Sequence, residues 1–103
     1  MLKLTFYVPN DSAEVVKDAL FETGAGKIGN YDRCSFETQG IGQFRALNGA
    51  NPTIGKVGVV EKVLEVRVEM VLVDHILFQA IAALKKSHPY ETPAYDVVKC
   101  MEV

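Results

Sequence analysis

At 103 residues the chain has room for one hydrophobic core, so a single domain over 1–103 is expected. Hydrophobic residues make up 49% and charged ones 23%, as in ordinary globular proteins. A formal net charge of -2, with the basic residues scattered and only Lys85-Lys86 adjacent, gives no electrostatic case for nucleic acid, whose phosphates need a cationic stripe. No apolar run is long enough to cross a bilayer, and Met1-Leu2-Lys3-Leu4 reads as the start of a strand rather than a signal peptide. The expectation is a cytoplasmic protein with no nucleic-acid and no membrane partner. Cys34 and Cys100 lack metal-type spacing and read as two buried thiols.

Leu2, Leu4, Phe6 and Val8 alternate with Lys3, Thr5 and Tyr7, the period of a strand with one buried face, which Pro9-Asn10 ends. Asp11 or Ser12 is placed to cap a helix whose apolar positions include Val16, Ala19 and Leu20, with Gly24 as its stop. Cys34 to Thr38 and Gly42 to Leu47 read as two short strands joined as a hairpin near Gln39-Gly40. The stretch from Asn48 to Gly58, with three glycines and a proline, is a loop of a length that is usually functional or mobile. From about Lys62 to Val73, Leu64, Val66, Val68, Met70 and Leu72 face one way and Glu65, Arg67 and Glu69 the other. Asp74 is placed to cap a second helix with Leu77, Ala80, Ile81 and Leu84 as its buried stripe. Pro89 stops that helix, and Tyr95 to Met101 is the closing strand. The principal elements run strand, helix, strand, strand, helix, strand. This is the α+β, ferredoxin-like βαββαβ sandwich: an antiparallel sheet with two helices on one face and its other face uncovered.

The segment His88-Pro89-Tyr90-Glu91-Thr92-Pro93 joins the second helix to the last strand. A histidine and a carboxylate three positions apart, held between two prolines, can coordinate a metal or move a proton; they can equally do no more than shape the turn. Two ligands do not complete a tetrahedral site, so a metal here would borrow from Glu61, Glu65 or another subunit. His75 reads as a surface residue. The glycines at 24, 26 and 29 follow a helix, and those at 40 and 42 lie between strands. Neither context is a phosphate loop, which needs a strand leading into a helix. Tyr31-Asp32-Arg33 reads as an exposed charge pair, and no nucleophile can be matched to a base.

Several stretches together resemble the insertion domain of the Nif-three-like (Ngg-interacting-factor-three-like) family. They are Gly24-Ala25-Gly26-Lys27-Ile28-Gly29-Asn30-Tyr31-Asp32-Arg33-Cys34-Ser35-Phe36, Gly49-Ala50-Asn51-Pro52 with Ile54-Gly55 and the Glu61 to Glu69 strand, and His88 to Asp96. A similar His-Pro-Tyr-Glu segment occurs in the CutA-like divalent-cation tolerance proteins. The resemblance implies a fold of the CutA and PII class, whose members commonly form trimers. It also implies an insert standing alone, without the larger domain that holds the family's two-metal site, so hydrolase or cyclohydrolase activity is not expected to transfer.

Three functional readings follow. The first is a small cytoplasmic homo-oligomeric, trimeric module that binds or regulates through a small-molecule or anion ligand and has no catalysis of its own. Its candidate contacts are Asn30, Asp32, Asn51, His88, Tyr90 and Glu91. The alternative is a divalent-metal-binding protein of CutA-like type with His88 and Glu91 as ligands and a divalent metal as cofactor. The third is a domain that docks on a separate protein partner.

Overall fold

In the computed structural model, which describes residues 1–103, the amino-terminal alternation becomes strand β1 (Leu2–Pro9). Leu4, Phe6 and Val8 are fully buried on one face. A 3₁₀ turn at Asn10–Ser12 leads into helix α1 (Ala13–Glu22), which buries Ala13, Val16 and Leu20. Neither Asp11 nor Ser12 caps it as expected: no side chain bonds the free amides at its start. Gly24 ends the helix at φ 101°, a backbone region that side chains bearing a Cβ avoid.

Strand β2 (Phe36–Arg45) is continuous and corrects the expected hairpin. It pairs residue by residue with strand β3 (Val60–Leu72), from Phe36 opposite Glu69 to Arg45 opposite Val60. Gln39 and Gly40 are ladder positions, not a turn. At Gly42 the absence of a side chain leaves room for Glu65, whose Oε1 would lie 1.7 Å from a Cβ placed there. The 46–59 connection is the expected loop, tied at its base by a bridge between Ala46 and Val57.

After a second 3₁₀ turn, Asp74–Ile76, helix α2 (Leu77–Ser87) buries Ala80 and Leu84, with Leu77 and Ile81 packed partly against the same core. Asp74 does not cap it. Its carboxylate is taken by Lys99 and by the amino group of Met1, and the Lys99 bond above all holds it down at about 2. Strand β4 (Tyr95–Lys99) closes the sheet.

The sheet is antiparallel with the order β2-β3-β1-β4. The inward residues of β1 and β3 form one cluster with Ala13, Val16, Leu20, Ile76, Ala80 and Leu84, so both helices cover a single face. This is the ferredoxin-like α+β fold. The molecule measures 46 × 24 × 24 Å, and the part of the β2–β3 ribbon beyond the helices exposes Leu64, which the alternation alone would bury. The open face carries the ion pairs Lys3–Glu69 and Arg67–Glu69. Thr5, on the central strand of that face, is nonetheless only 6% exposed. Cys34 and Cys100 are free and only half-buried, because each lies outside the regular strands. At the opposite edge of β1 the chain ends meet: the Cys100 amide donates to the Met1 carbonyl, and the Met1 amino group lies 3.3 Å from Glu102 Oε1. No helix is long and apolar enough to cross a membrane.

Candidate functional site

Strand β4 begins opposite Phe6, so the last residues of β1 lack a ladder partner on that side. His88 supplies one. As α2 ends, its backbone turns extended (ψ 137°), and the buried imidazole Nε2 lies 2.7 Å from the Tyr7 carbonyl. A carbonyl only accepts, so Nε2 carries the proton; Nδ1 is then free to accept from the Tyr90 amide at 3.1 Å. Burial pushes this imidazole below its ordinary pKa, against the opposing pull of the Tyr7 carbonyl and Glu65.

That arrangement fixes Tyr90. Its ring stands 5.0 Å from His88 and 5.8 Å from Phe44, tilted against both, and its hydroxyl donates to Glu65 Oε2 at 2.9 Å. Burial first, and then the carboxylate it bonds, hold the phenol well above its usual pKa. The 46–59 loop folds toward the same turn. The Asn51 amide donates to Glu91 Oε1 at 3.3 Å, and the Thr53 hydroxyl donates to the Pro89 carbonyl at 2.8 Å.

Between these segments and the open face of the sheet lies a cavity of about 540 Å³. Its wall includes Tyr7, Phe44, Glu65 and Tyr90, with Arg45 and Glu91 also on its lining. Such a volume lies within the usual range for small-molecule sites.

Of the residues expected from sequence to contact a ligand, Tyr90 and Glu91 line this cavity and Asn51 braces it through Glu91. His88 stands behind it as a support. Asn30 and Asp32 are not brought here. Their loop is anchored by the Gly26 amide on Val71, which pairs with Lys3 at the other end of β1, roughly 13 Å of strand from Tyr7. There, Arg33 pairs with Asp18 and Glu22 of α1 rather than with Asp32. As a metal ligand His88 would have to give up one of its two hydrogen bonds, whereas Glu91 has only Oε1 engaged. No three His, Cys, Asp or Glu side chains are grouped so as to hold a metal ion. Reasoning from sequence did not single out Phe44 or Arg45, and it placed Tyr7 and Glu65 on the open face without seeing a cavity there.

The state of His88 sets a pH dependence. The folded imidazole is protonated only at lower pH than its unfolded counterpart, so below about pH 6.5 the unfolded chain binds more protons. The stability that His88 contributes is therefore complete above that pH and declines below it. The urea midpoint is expected to fall between about pH 7.5 and about pH 5.5, and to fall less in His88→Gln. Equal pH dependence in both proteins would contradict this assignment.

No family model matches the chain. It is similar to proteins named GTP cyclohydrolase 1 type 2 homolog. The identity is 48% over 95 residues for the one from Mycobacterium tuberculosis and 50% over 95 residues for the one from Bacillus subtilis. These alignments cover 92% of this chain but only 25% and 26% of the relatives, so the chain spans about a quarter of their length. Among solved structures, a Bacillus cereus protein related to NIF3 superposes with a TM-score of 0.80 at 40% identity, over 93% of this chain and 24% of that one. CutA1 from Pyrococcus horikoshii superposes with a TM-score of 0.70 over 100% of this chain and 86% of that one. At 20% identity that likeness shows the fold alone.

Proposed function

Taking the chain as a homologue of one segment of the NIF3-related proteins, we propose a homo-oligomeric module that binds a small ligand in the Tyr90 cavity and has no catalysis of its own. The observation that carries this reading is the cavity itself. Two segments far apart in sequence, the 46–59 loop and the 88–94 turn, are tied to each other and together wall a space of about 540 Å³. No serine, cysteine or histidine lines it, and its one bonded hydroxyl–carboxylate pair is Tyr90 with Glu65, where the phenol is held well above its usual pKa and so serves as a hydrogen-bond donor rather than a nucleophile. The cyclohydrolase in the relatives' name belongs to much longer proteins and is not carried over. The free thiols of Cys34 and Cys100 suit a reducing compartment, and we place the module in the cytoplasm.

Self-association is supported by the ribbon. Strand β2 is an edge of the sheet, and on the ribbon's helix side Ile41 and Leu64 stand directly opposite each other, 70% and 62% exposed. An unpaired edge beside an exposed apolar pair is a surface that proteins normally cover. The cavity opens on the other side of the ribbon, so association there leaves it accessible. A trimer is the state that the sequence resemblance implies. Sedimentation equilibrium at micromolar concentration is expected to give a trimer, and Ile41→Lys with Leu64→Glu to give a folded monomer. A wild-type monomer at that concentration would overturn the oligomeric part of the reading.

A further inference from the structure

Glu65 and Glu69 project from the same face of β3, two outward positions apart, yet they are treated differently. Glu69 is paired with Lys3 at 2.8 Å and with Arg67 at 3.1 Å. Glu65 is just as half-buried, but Arg67 is turned away to Glu69 and no cationic group lies within ion-pairing distance. Its only side-chain partner is the neutral hydroxyl of Tyr90. A partly desolvated carboxylate without a counter-ion is costly, and the cost is relieved by any cation that can reach it.

The surroundings restrict what that cation can be. Glu65 lies in the cavity wall with the rings of Tyr7, Phe44 and Tyr90, whose negative faces attract positive charge. Its carboxylate rests over Gly42, in space that a Cβ there would take, since that Cβ would come within 1.7 Å of Oε1. Glu65 and Glu91 are the only carboxylates in the wall, and no three His, Cys, Asp or Glu side chains are grouped so as to hold a bare metal ion. Glu91 adds a second negative charge on the lining, one oxygen of which already accepts from Asn51. The only cation in the wall, Arg45, is three residues beyond Gly42 along β2, roughly 10 Å of strand rise.

We propose that the cavity is a site for a small organic cation, an ammonium or amidinium group on a flat apolar body. Glu65 is its counter-ion, and Tyr7, Phe44 and Tyr90 form its walls. This assignment rests on the cavity being the ligand site. The cation's N–H groups donate to the Glu65 oxygens that Tyr90 leaves free, and its body replaces water against the rings.

The test uses benzamidine, benzamide and benzoate, flat probes of one shape with positive, neutral and negative heads, followed by protein-observed NMR. Benzamidine is expected to give saturable shifts at Tyr7, Phe44 and Tyr90, with benzamide weaker and benzoate silent. Glu65→Gln keeps an oxygen for the Tyr90 hydroxyl and so keeps the wall. It is expected to weaken benzamidine about tenfold or more and to leave benzamide unchanged. Gly42→Ala, whose methyl displaces the Glu65 carboxylate, should do the same. If benzoate or benzamide binds there as well as benzamidine, or if folded Glu65→Gln binds benzamidine like the wild type, the cation assignment is overturned while the cavity stands as a site. If none of the three binds at millimolar concentration, the ligand-site reading falls with it.

Discussion

Replacing His88 by alanine is expected to cost about 2–4 kcal/mol of stability, an unusual amount for one polar residue in a turn. The imidazole bonds two backbone groups, the Tyr7 carbonyl through Nε2 and the Tyr90 amide through Nδ1, and it is only 6% exposed. Alanine removes the partner of both groups and opens a void beside the Tyr90 ring. The 88–94 turn should loosen with it, because Tyr90 loses the ring it leans on. Chemical denaturation measures the cost, and a loss under about 1 kcal/mol would show that the two bonds contribute little. The same variant separates a structural from a metal-binding histidine. A ligand role requires added divalent cation to stabilise the wild type and not His88→Ala. A role confined to hydrogen bonding gives no metal dependence in either protein.

Phe6→Ala should cost still more, about 3–5 kcal/mol. Phe6 is fully buried at the middle of the central strand, paired with Val68 on one side and with the first residue of β4 on the other. The core cluster has 15 buried residues, and no larger fully buried side chain is available to close around the space. Phe6→Leu, which keeps most of the volume, is expected to recover more than half of the loss. Thermal and urea unfolding would both report it. A cost near that of Phe6→Leu would mean that the sheet collapses onto the gap.

Much of this architecture is legible in local pattern. The alternation in β1 and in the buried half of β3, and the stripe Leu77, Ala80, Ile81 and Leu84, each reflect one buried face, and one buried face is what periodicity reports. The readings that failed depended on partners distant in the chain. Gly40 and Gly42 look like a turn because glycine usually marks one. Here the β3 partner strand decides, and the Glu65 side chain fills the space above Gly42. Asp74 has the composition of a cap, but Lys99 and the Met1 amino group reach it first. The site divides in the same way. Tyr90, Glu91 and Asn51 sit in irregular segments rich in proline and glycine, and such segments announce themselves. Tyr7, Phe44 and Glu65 lie on regular strands, where a cavity wall and a solvated face have the same alternation. Only the register of β1 on β3 and of β3 on β2 brings those three together.

The meeting of the two chain ends beside β1 has a topological consequence. With the Cys100 amide bonded to the Met1 carbonyl, the backbone is already nearly a closed ring. A few flexible residues would complete that ring, and new ends could then be opened in the 46–59 connection, giving a circular permutant with the same sheet order. For the same reason, the whole unit could be spliced into a surface turn of an unrelated host while spreading the host backbone by little more than the width of a strand pair.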